Sequence, residues 1–177
     1  YAIMNMADES FRPIAMRKGT VGGWSPRMRF DLVVNTMTKF ALTGGKIVVH
    51  NPNLWRPLID IRDVVTAYRK AIMCDLSISE VFNICGENYT IGRLAEDVVE
   101  TFSHHGMQID IETQSRPDVR NYLASNRKAK DILGFEPQYG PGSSIHQILN
   151  NVKESGIDIL DKRFYNIQTF MDMENES

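Results

Sequence analysis

Cysteine is scarce in this chain of 177 residues, and the two present, Cys74 and Cys85, each lie inside an apolar segment, so they read as reduced packing residues rather than a disulfide framework or zinc ligands. Long apolar runs are missing too. No stretch is long enough to cross a bilayer, and no basic start with a small-residue cleavage site marks a signal peptide, so the chain is expected to be cytoplasmic. Charge of one sign is equally short: 20 Lys and Arg against 22 Asp and Glu leave a net charge of -2. That balance gives no basic footprint for nucleic acid and no cationic membrane face, although local arginines still suit a small anion. Repeats and low-complexity segments are absent. What is present is an ordinary globular composition, 42% hydrophobic and 24% charged, long enough for one domain with a real core.

Hydrophobic patterning alternates short strands with helices. Pro13–Arg17 reads as a buried strand feeding a loop at Gly19 and Gly22-Gly23. Apolar positions recur at helical spacing from about Phe30 to Leu42 and stop at Gly44-Gly45; Lys46–His50 is a strand, and Asn51-Pro52-Asn53 a turn before a strand at Pro57–Ile61. Asp63 is expected to cap a helix over Val64–Met73, with Val64, Val65, Tyr68, Ala71 and Ile72 facing inward. A strand at Glu80–Cys85 then leads to a helix over Ile91–His104 capped by Thr90. After a strand at Ile109–Ile111, Ser125 is expected to cap a short helix closed by Gly134, and a last helix spans Ser144–Glu154 with Gly156 behind it. The acidic tail from Met171 is expected to fray. Alternation of this kind implies an α/β fold with at least part of a parallel sheet.

Chemistry concentrates around Trp55-Arg56-Pro57-Leu58-Ile59-Asp60, where a guanidinium stands at the start of an apolar strand. A planar, permanently charged fork on a rigid strand suits a diphosphate better than a mobile Lys does; a solvated surface Arg is the alternative. His104-His105 reads as a solvated helix end, because adjacent helical residues diverge and no carboxylate or thiol falls at ligand spacing, so no metal is expected. Trp24 and Trp55 either line a cleft or shield the core.

Five blocks in order carry a resemblance: Arg17-Lys18-Gly19-Thr20-Val21-Gly22-Gly23; Trp55-Arg56-Pro57 running to Ile61-Arg62-Asp63-Val64; Val81-Phe82-Asn83-Ile84; Asp118-Val119-Arg120-Asn121-Tyr122; and Ala129-Lys130 with Leu133-Gly134-Phe135. In these the chain resembles the C-terminal half of extended short-chain dehydrogenase/reductases, the NAD-dependent epimerase/dehydratase enzymes of nucleotide sugars. The resemblance runs from Arg12 to about Tyr165. It implies the last strands of a Rossmann-type parallel sheet, from residues 11–29 and 79–92, and a small substrate-binding domain with flanking helices from 30–78 and 93–165, followed by a tail at 166–177.

The glycine-rich turn and the Tyr and Lys four residues apart that serve this family are not in the sequence: Tyr1 is followed by Asn5 where the Lys would stand. The resemblance therefore implies that residues 1–10 end the catalytic helix, that no catalytic residue lies in this chain, and that NAD, or NADP, is bound mainly by an N-terminal half preceding it. The chain alone is expected to be inactive, to rest against that half or another copy, and to form a homodimer at full length. A nucleoside-diphosphate sugar is the implied substrate, with Arg56 and Arg120 on its phosphates. Arg116 is a weaker candidate beside them, and Asp118 either accepts from the ribose or shapes the turn after Pro117. Arg29, Asp31 and Asn35 flank the start of the helix that covers the nucleotide, Asn35 reading rather as an ordinary surface residue; Thr20, Val21 and Pro26 match the loop passing the nicotinamide end and read equally well as loop-shaping residues. A reductase acting on an uncharged substrate and a non-catalytic scaffold subunit are the other readings.

Overall fold

The computed structural model describes residues 2–115 and 120–175. Strand β1 (Ala15–Lys18) ends where Gly19 lets the chain step sideways into β2 (Thr20–Gly22). A Cβ at Gly19 would sit 2.7 Å from the Pro57 carbonyl oxygen, so only glycine allows this approach. Helix α1 (Val33–Gly44) stops at Gly45, whose φ of 63° is left-handed, and β3 (Lys46–His50), β4 (Trp55–Asp60) and α2 (Ile61–Ile72) follow. Then come β5 (Val81–Ile84), β6 (Asn88–Thr90), α3 (Ile91–His104), β7 (Asp110–Gln114), α4 (Arg127–Leu133), α5 (Pro141–Ser155) and α6 (Asn166–Asn175).

The strands form three small sheets. β1 pairs with β5 in parallel, Ala15 opposite Val81 and Lys18 opposite Ile84. β4 lies between β2, parallel to it, and β6, antiparallel. β3 and β7 form a parallel pair with Lys46 opposite Asp110 and His50 opposite Gln114. The expected α/β class with parallel pairing is therefore present. The main core gathers α1, α3 and α5 against β3 and β4 through Val34, Met37, Ile47, Val49, Leu94, Phe102 and Leu149. A second cluster, with Ile59, Val64, Phe82, Ile84, Leu133 and Phe135, fills the space around β1 and β5, and a third joins Met28 and Phe30 to Ile148 and Phe164. No helix among the described residues is long and apolar enough to cross a membrane.

Several local expectations are corrected. Residues 20–22 form a strand rather than a loop, because pairing with β4 satisfies their backbone. Residues 4–6 make a single 3-10 turn, and the Asp8 carboxylate accepts from the Ser10 and Phe11 amides and turns the chain. Asn126, not Ser125, occupies the cap position of α4, although the Ser125 hydroxyl accepts from the Arg127 amide. The acidic tail continues as α6 through Asn175 instead of fraying from Met171.

The largest correction concerns α2. Its cap is Asp60, whose carboxylate accepts from the Arg62 amide, so the helix starts three residues early. The face that packs on the second cluster carries Val64, Ala67 and Ala71, with Asp63 buried beside it, so Val65, Tyr68 and Ile72 point outward, Ile72 being 80% exposed. Asp63 serves a different end, accepting from the Gln138 and Tyr139 amides at 3.0 Å and tying residues 138–139 to the helix.

Asp60, almost wholly buried, also receives Arg62 Nε at 2.7 Å and Nη2 at 2.8 Å, together with the Ser144 hydroxyl of α5. Burial pushes its carboxyl up, but the hydrogen bonds from Arg62 and Ser144 outweigh that and hold it below the ordinary aspartate value. A carboxyl lowered on folding adds stability above its unfolded pKa, about 4, and loses it as pH falls through the folded value. Asp60→Asn is expected to cost about 2 kcal/mol at neutral pH, the scale of a hydrogen bond to a charged group, with the deficit shrinking as pH drops below about 4. Urea unfolding of both proteins across pH 3 to 7 measures it.

Candidate functional site

β3 alternates. Ile47 and Val49 enter the core, while Lys46, Val48 and His50 turn to the opposite face and line a cleft of about 730 Å³. The first turns of α1 form the facing wall, with Asp31 just before them and Met37 within them. Thr20, Arg56, Arg120 and Tyr122 close one side. The volume lies within the usual range for a small-molecule site.

Arg56 is the second residue of β4, and only 9% of it is exposed. Its Nη1 donates to the Trp55 carbonyl at 2.8 Å and to the carbonyl of Arg120, and its guanidinium carbon lies 5.7 Å from the centre of the Tyr122 ring. One guanidinium thus holds the 120–122 segment against β4 and brings the Arg120 side chain to the same cleft. Asparagines extend this attachment. The Trp55 amide donates to Asn121 Oδ1 at 2.9 Å. Asn88 both accepts from the Ala124 amide and donates to its carbonyl, each at 3.0 Å, so its side chain imitates one rung of a β-ladder. Asn83 donates to the Ser125 carbonyl and Asn126 to that of Cys85.

Asp31 and Arg29 form a two-pronged ion pair at 2.7 and 2.8 Å, with Asp31 on the cleft wall. The hydrogen bonds that Arg29 donates to Asp31 hold the Asp31 carboxyl below its ordinary value and raise that of Arg29. Asn35, expected as an ordinary surface residue, is instead buried: it accepts from the Gly23 amide at 3.2 Å and donates to the Arg29 carbonyl at 3.0 Å, pinning the loop after β2 to α1. Lys46 pairs with Glu112 across the β3 and β7 pair, and Gln114 Nε2 donates to the other side of that link, on Glu112 Oε1 at 2.7 Å.

Of the residues singled out from the sequence, Thr20, Asp31, Arg56 and Arg120 meet at this cleft. Arg29 stands behind Asp31, Asn35 is a buried clip, Val21 packs against the second core cluster, and Pro26 is exposed on a bend. Arg116 and Asp118 lie outside the described residues. Trp24 packs against the third cluster and Trp55 is partly exposed at the start of β4. His50, Gln114, Asn88 and Asn126 carry no local signal in the sequence, and Asn83, Asn121 and Tyr122 stand in the resembling blocks without a role of their own; only the pairing of β3 with β7 and the fold of the 120–126 segment bring them into place. His105 also gains a partner: its Nε2 stands 3.1 Å from His146 Nδ1 across α3 and α5. Partial desolvation and the neighbouring His146 and Lys153 keep the His105 pKa below the usual histidine value. No group of three or more metal-ligating side chains occurs among the described residues.

No family model matches the chain. Its fold is nevertheless shared with solved structures of Rossmann-type extended short-chain dehydrogenase/reductases. RMD from Pseudomonas aeruginosa, complexed with NADPH, superposes with a TM-score of 0.71 at 18% identity, over 87% of this chain and 53% of that one. The dTDP-glucose 4,6-dehydratase of Bacillus anthracis, in complex with NAD, gives 0.66 at 18% identity over 86% and 46%. A UDP-glucose 4-epimerase of Thermotoga maritima, solved with UDP-glucose, gives 0.66 at 23% over 81% and 47%. The chain spans about half the length of these structures.

Because Asn88 supplies both a donor and an acceptor to Ala124, Asn88→Asp keeps the acceptor and sets a second oxygen against the Ala124 carbonyl. Loss of the donor is expected to cost about 1 to 2 kcal/mol, a net hydrogen bond plus the mismatch left behind. Hydrogen exchange at residues 120–126 is expected to quicken in the variant while the amides of α3 keep their protection.

Proposed function

We propose that this chain is the substrate-binding half of an NAD-dependent epimerase or dehydratase of nucleotide sugars, and that its cleft holds the nucleoside diphosphate. The observation that carries this reading is the meeting of Arg56 and Arg120, 64 positions apart, at one cleft of suitable volume. Two guanidinium groups on separate segments suit a diphosphate, whose oxygens accept charge-assisted bonds from both, and an uncharged substrate would leave them without purpose. Solved structures of the same fold contain NAD, NADPH and UDP-glucose, which supports a cofactor of that class and a sugar nucleotide here.

NAD or NADP, when bound, would take a hydride from the sugar and return it. The described residues fit a share in holding it, since Thr20, beside β4 on the strand continuing from β1, stands where the cleft approaches the parallel pair. Val21 and Pro26 belong to the same approach, Val21 by fixing β2 in the core and Pro26 by shaping the bend behind it. Arg56 orients Arg120 as well as offering its own charge. Asp31, Arg29 and Asn35 set the position of α1 over the nucleotide, and Arg116 and Asp118, outside the described residues, remain candidates for the phosphates and the ribose. Holding the diphosphate places the sugar for chemistry done by groups outside this chain. The missing N-terminal half of the enzyme, or another copy of the chain, would cover the outward apolar face of α2 and the side of β1 that pairs with no strand among the described residues, and the complete enzyme would be a cytoplasmic homodimer.

Arg120→Ala is expected to weaken nucleoside-diphosphate binding about ten- to a hundredfold, matching one charge-assisted contact of about 1.5 to 3 kcal/mol. Arg56→Ala should do the same and also loosen residues 120–126; Arg56→Lys should recover little, because the fork is lost. Titration calorimetry with UDP, dTDP, ADP and GDP tests this. Unchanged affinity in both alanine variants, or binding of NAD and turnover of a sugar nucleotide by the 177-residue chain itself, would count against the reading.

A further inference from the structure

His105 and His146, 41 positions apart, form a pair that lies outside the cleft. His105 is the cap residue that closes α3, its amide bonded to the Phe102 carbonyl, and His146 stands in the second turn of α5. Core neighbours fix both backbones, Phe102 on one helix and Ile145 and Leu149 on the other. The rings meet at the surface, His105 half-buried and His146 exposed, with His105 Nε2 3.1 Å from His146 Nδ1. Two imidazole nitrogens this close share one proton, because an N–H on one ring must face a lone pair on the other. The spacing suits a metal equally: bonds of about 2.0 to 2.1 Å to one tetrahedral ion set two nitrogens about 3.3 Å apart, so a cation replaces that proton with a shift of about 0.2 Å. Asn150, one turn further along α5, holds the far side of the second ring, its side-chain amide 3.0 Å from His146 Nε2. With its oxygen turned to that nitrogen it accepts Nε2–H, which leaves Nδ1 bare and fixes the plane of the ring, the outer support that metal-binding histidines use.

We infer that His105 and His146 clasp one divalent metal ion of the imidazole-preferring class, copper, nickel or zinc, as a staple between α3 and α5. The site is separate from the nucleotide cleft and does not depend on how that cleft is read. Two protein nitrogens fill part of the coordination shell and water fills the rest. Affinity comes from chelation: once one ring has bound the ion, the other is held within reach at high effective concentration. The other charged groups acting on His105 are His104 and Lys153, and no carboxylate among the described residues joins them. Such a site holds an ion by bonds to nitrogen rather than by negative charge, which favours Cu²⁺ first, then Ni²⁺ and Zn²⁺, and refuses Mg²⁺, an ion that prefers oxygen and keeps its water. Both helices belong to the main core with α1, so the ion ties together two of its three helices at their surface edge.

The test titrates the 177-residue chain, free of any added histidine tag, with the chlorides of Cu²⁺, Ni²⁺, Zn²⁺ and Mg²⁺ at neutral pH. Wild type is expected to bind Cu²⁺ at least about tenfold more tightly than His105→Gln or His146→Gln, the advantage of the chelate, while His104→Gln binds as wild type does. Mg²⁺ should not bind. The electron paramagnetic resonance spectrum of the copper-loaded wild type should show coupling to two imidazole nitrogens, a readout that needs no variant to fold. Hydrogen exchange in the last turn of α3 and the second turn of α5 should slow with Zn²⁺ in wild type and not in His105→Gln or His146→Gln, whose metal-free thermal unfolding checks that they fold. Equal copper affinity in wild type and in those two variants, a wild-type spectrum with one nitrogen or none, or a loss in His104→Gln as large as in His105→Gln would overturn the inference.

Discussion

Strand β4 governs this structure, being paired along both edges, to β2 in parallel and to β6 in antiparallel fashion. Its two ends carry opposite charges with different roles. At the start, Arg56 fastens the 120–122 segment, and at the finish Asp60 opens α2 and reaches α5 through Ser144. A six-residue strand therefore sets the position of two helices, a loop and the cleft between them. Buried charge is costly unless it is hydrogen-bonded, and both ends of β4 are: Asp60 by four donors, Arg56 through Nη1 to two backbone carbonyls. The same arrangement makes the cleft stiff, because Arg120 is presented by backbone held to a buried strand.

Much of this architecture is legible in the amino-acid order alone. Helical spacing locates α1, α3 and α5, and left-handed glycines at 45, 134 and 156 end helices where expected. Thr90 caps α3 as read, its hydroxyl accepting from the Arg93 amide. The start of α2 is ambiguous because two aspartates, Asp60 and Asp63, stand three residues apart and either satisfies the local rule for a cap. Long-range demand decides between them: Asp63 is needed by the amides of Gln138 and Tyr139, 75 and 76 positions away. Local pattern carries no record of such partners. The short strands β2 and β6 are invisible for a related reason, each being three residues long and existing only through β4.

The site shows the same division. Arg56 and Arg120 stand out by residue type, since a guanidinium next to an apolar strand is unusual enough to notice. Asn83, Asn88, Asn121 and Asn126 do not, because an asparagine in a loop ordinarily bonds its own neighbours, whereas each of these reaches across 36 to 66 positions. Asn35 is likewise unreadable: an asparagine in the first turn of a helix ordinarily faces solvent, and here a glycine amide and an arginine carbonyl require it inside.

The outward face of α2 ties fold to function. Val65, Tyr68 and Ile72 repeat at helical spacing yet are exposed, and the groove beside them runs along Arg12, Ile14 and Met16 next to β1. An apolar stripe beside a strand paired with β5 alone, among the described residues, is the physical signature of a surface built to be covered. The cleft opens elsewhere, among α1, β3 and the start of β4, so covering that stripe leaves Arg56 and Arg120 accessible. Under the proposed function the two duties therefore fall to separate places, the exposed stripe of α2 to the other half of the enzyme and the cleft to the diphosphate, with β4 and α2 as the shared frame.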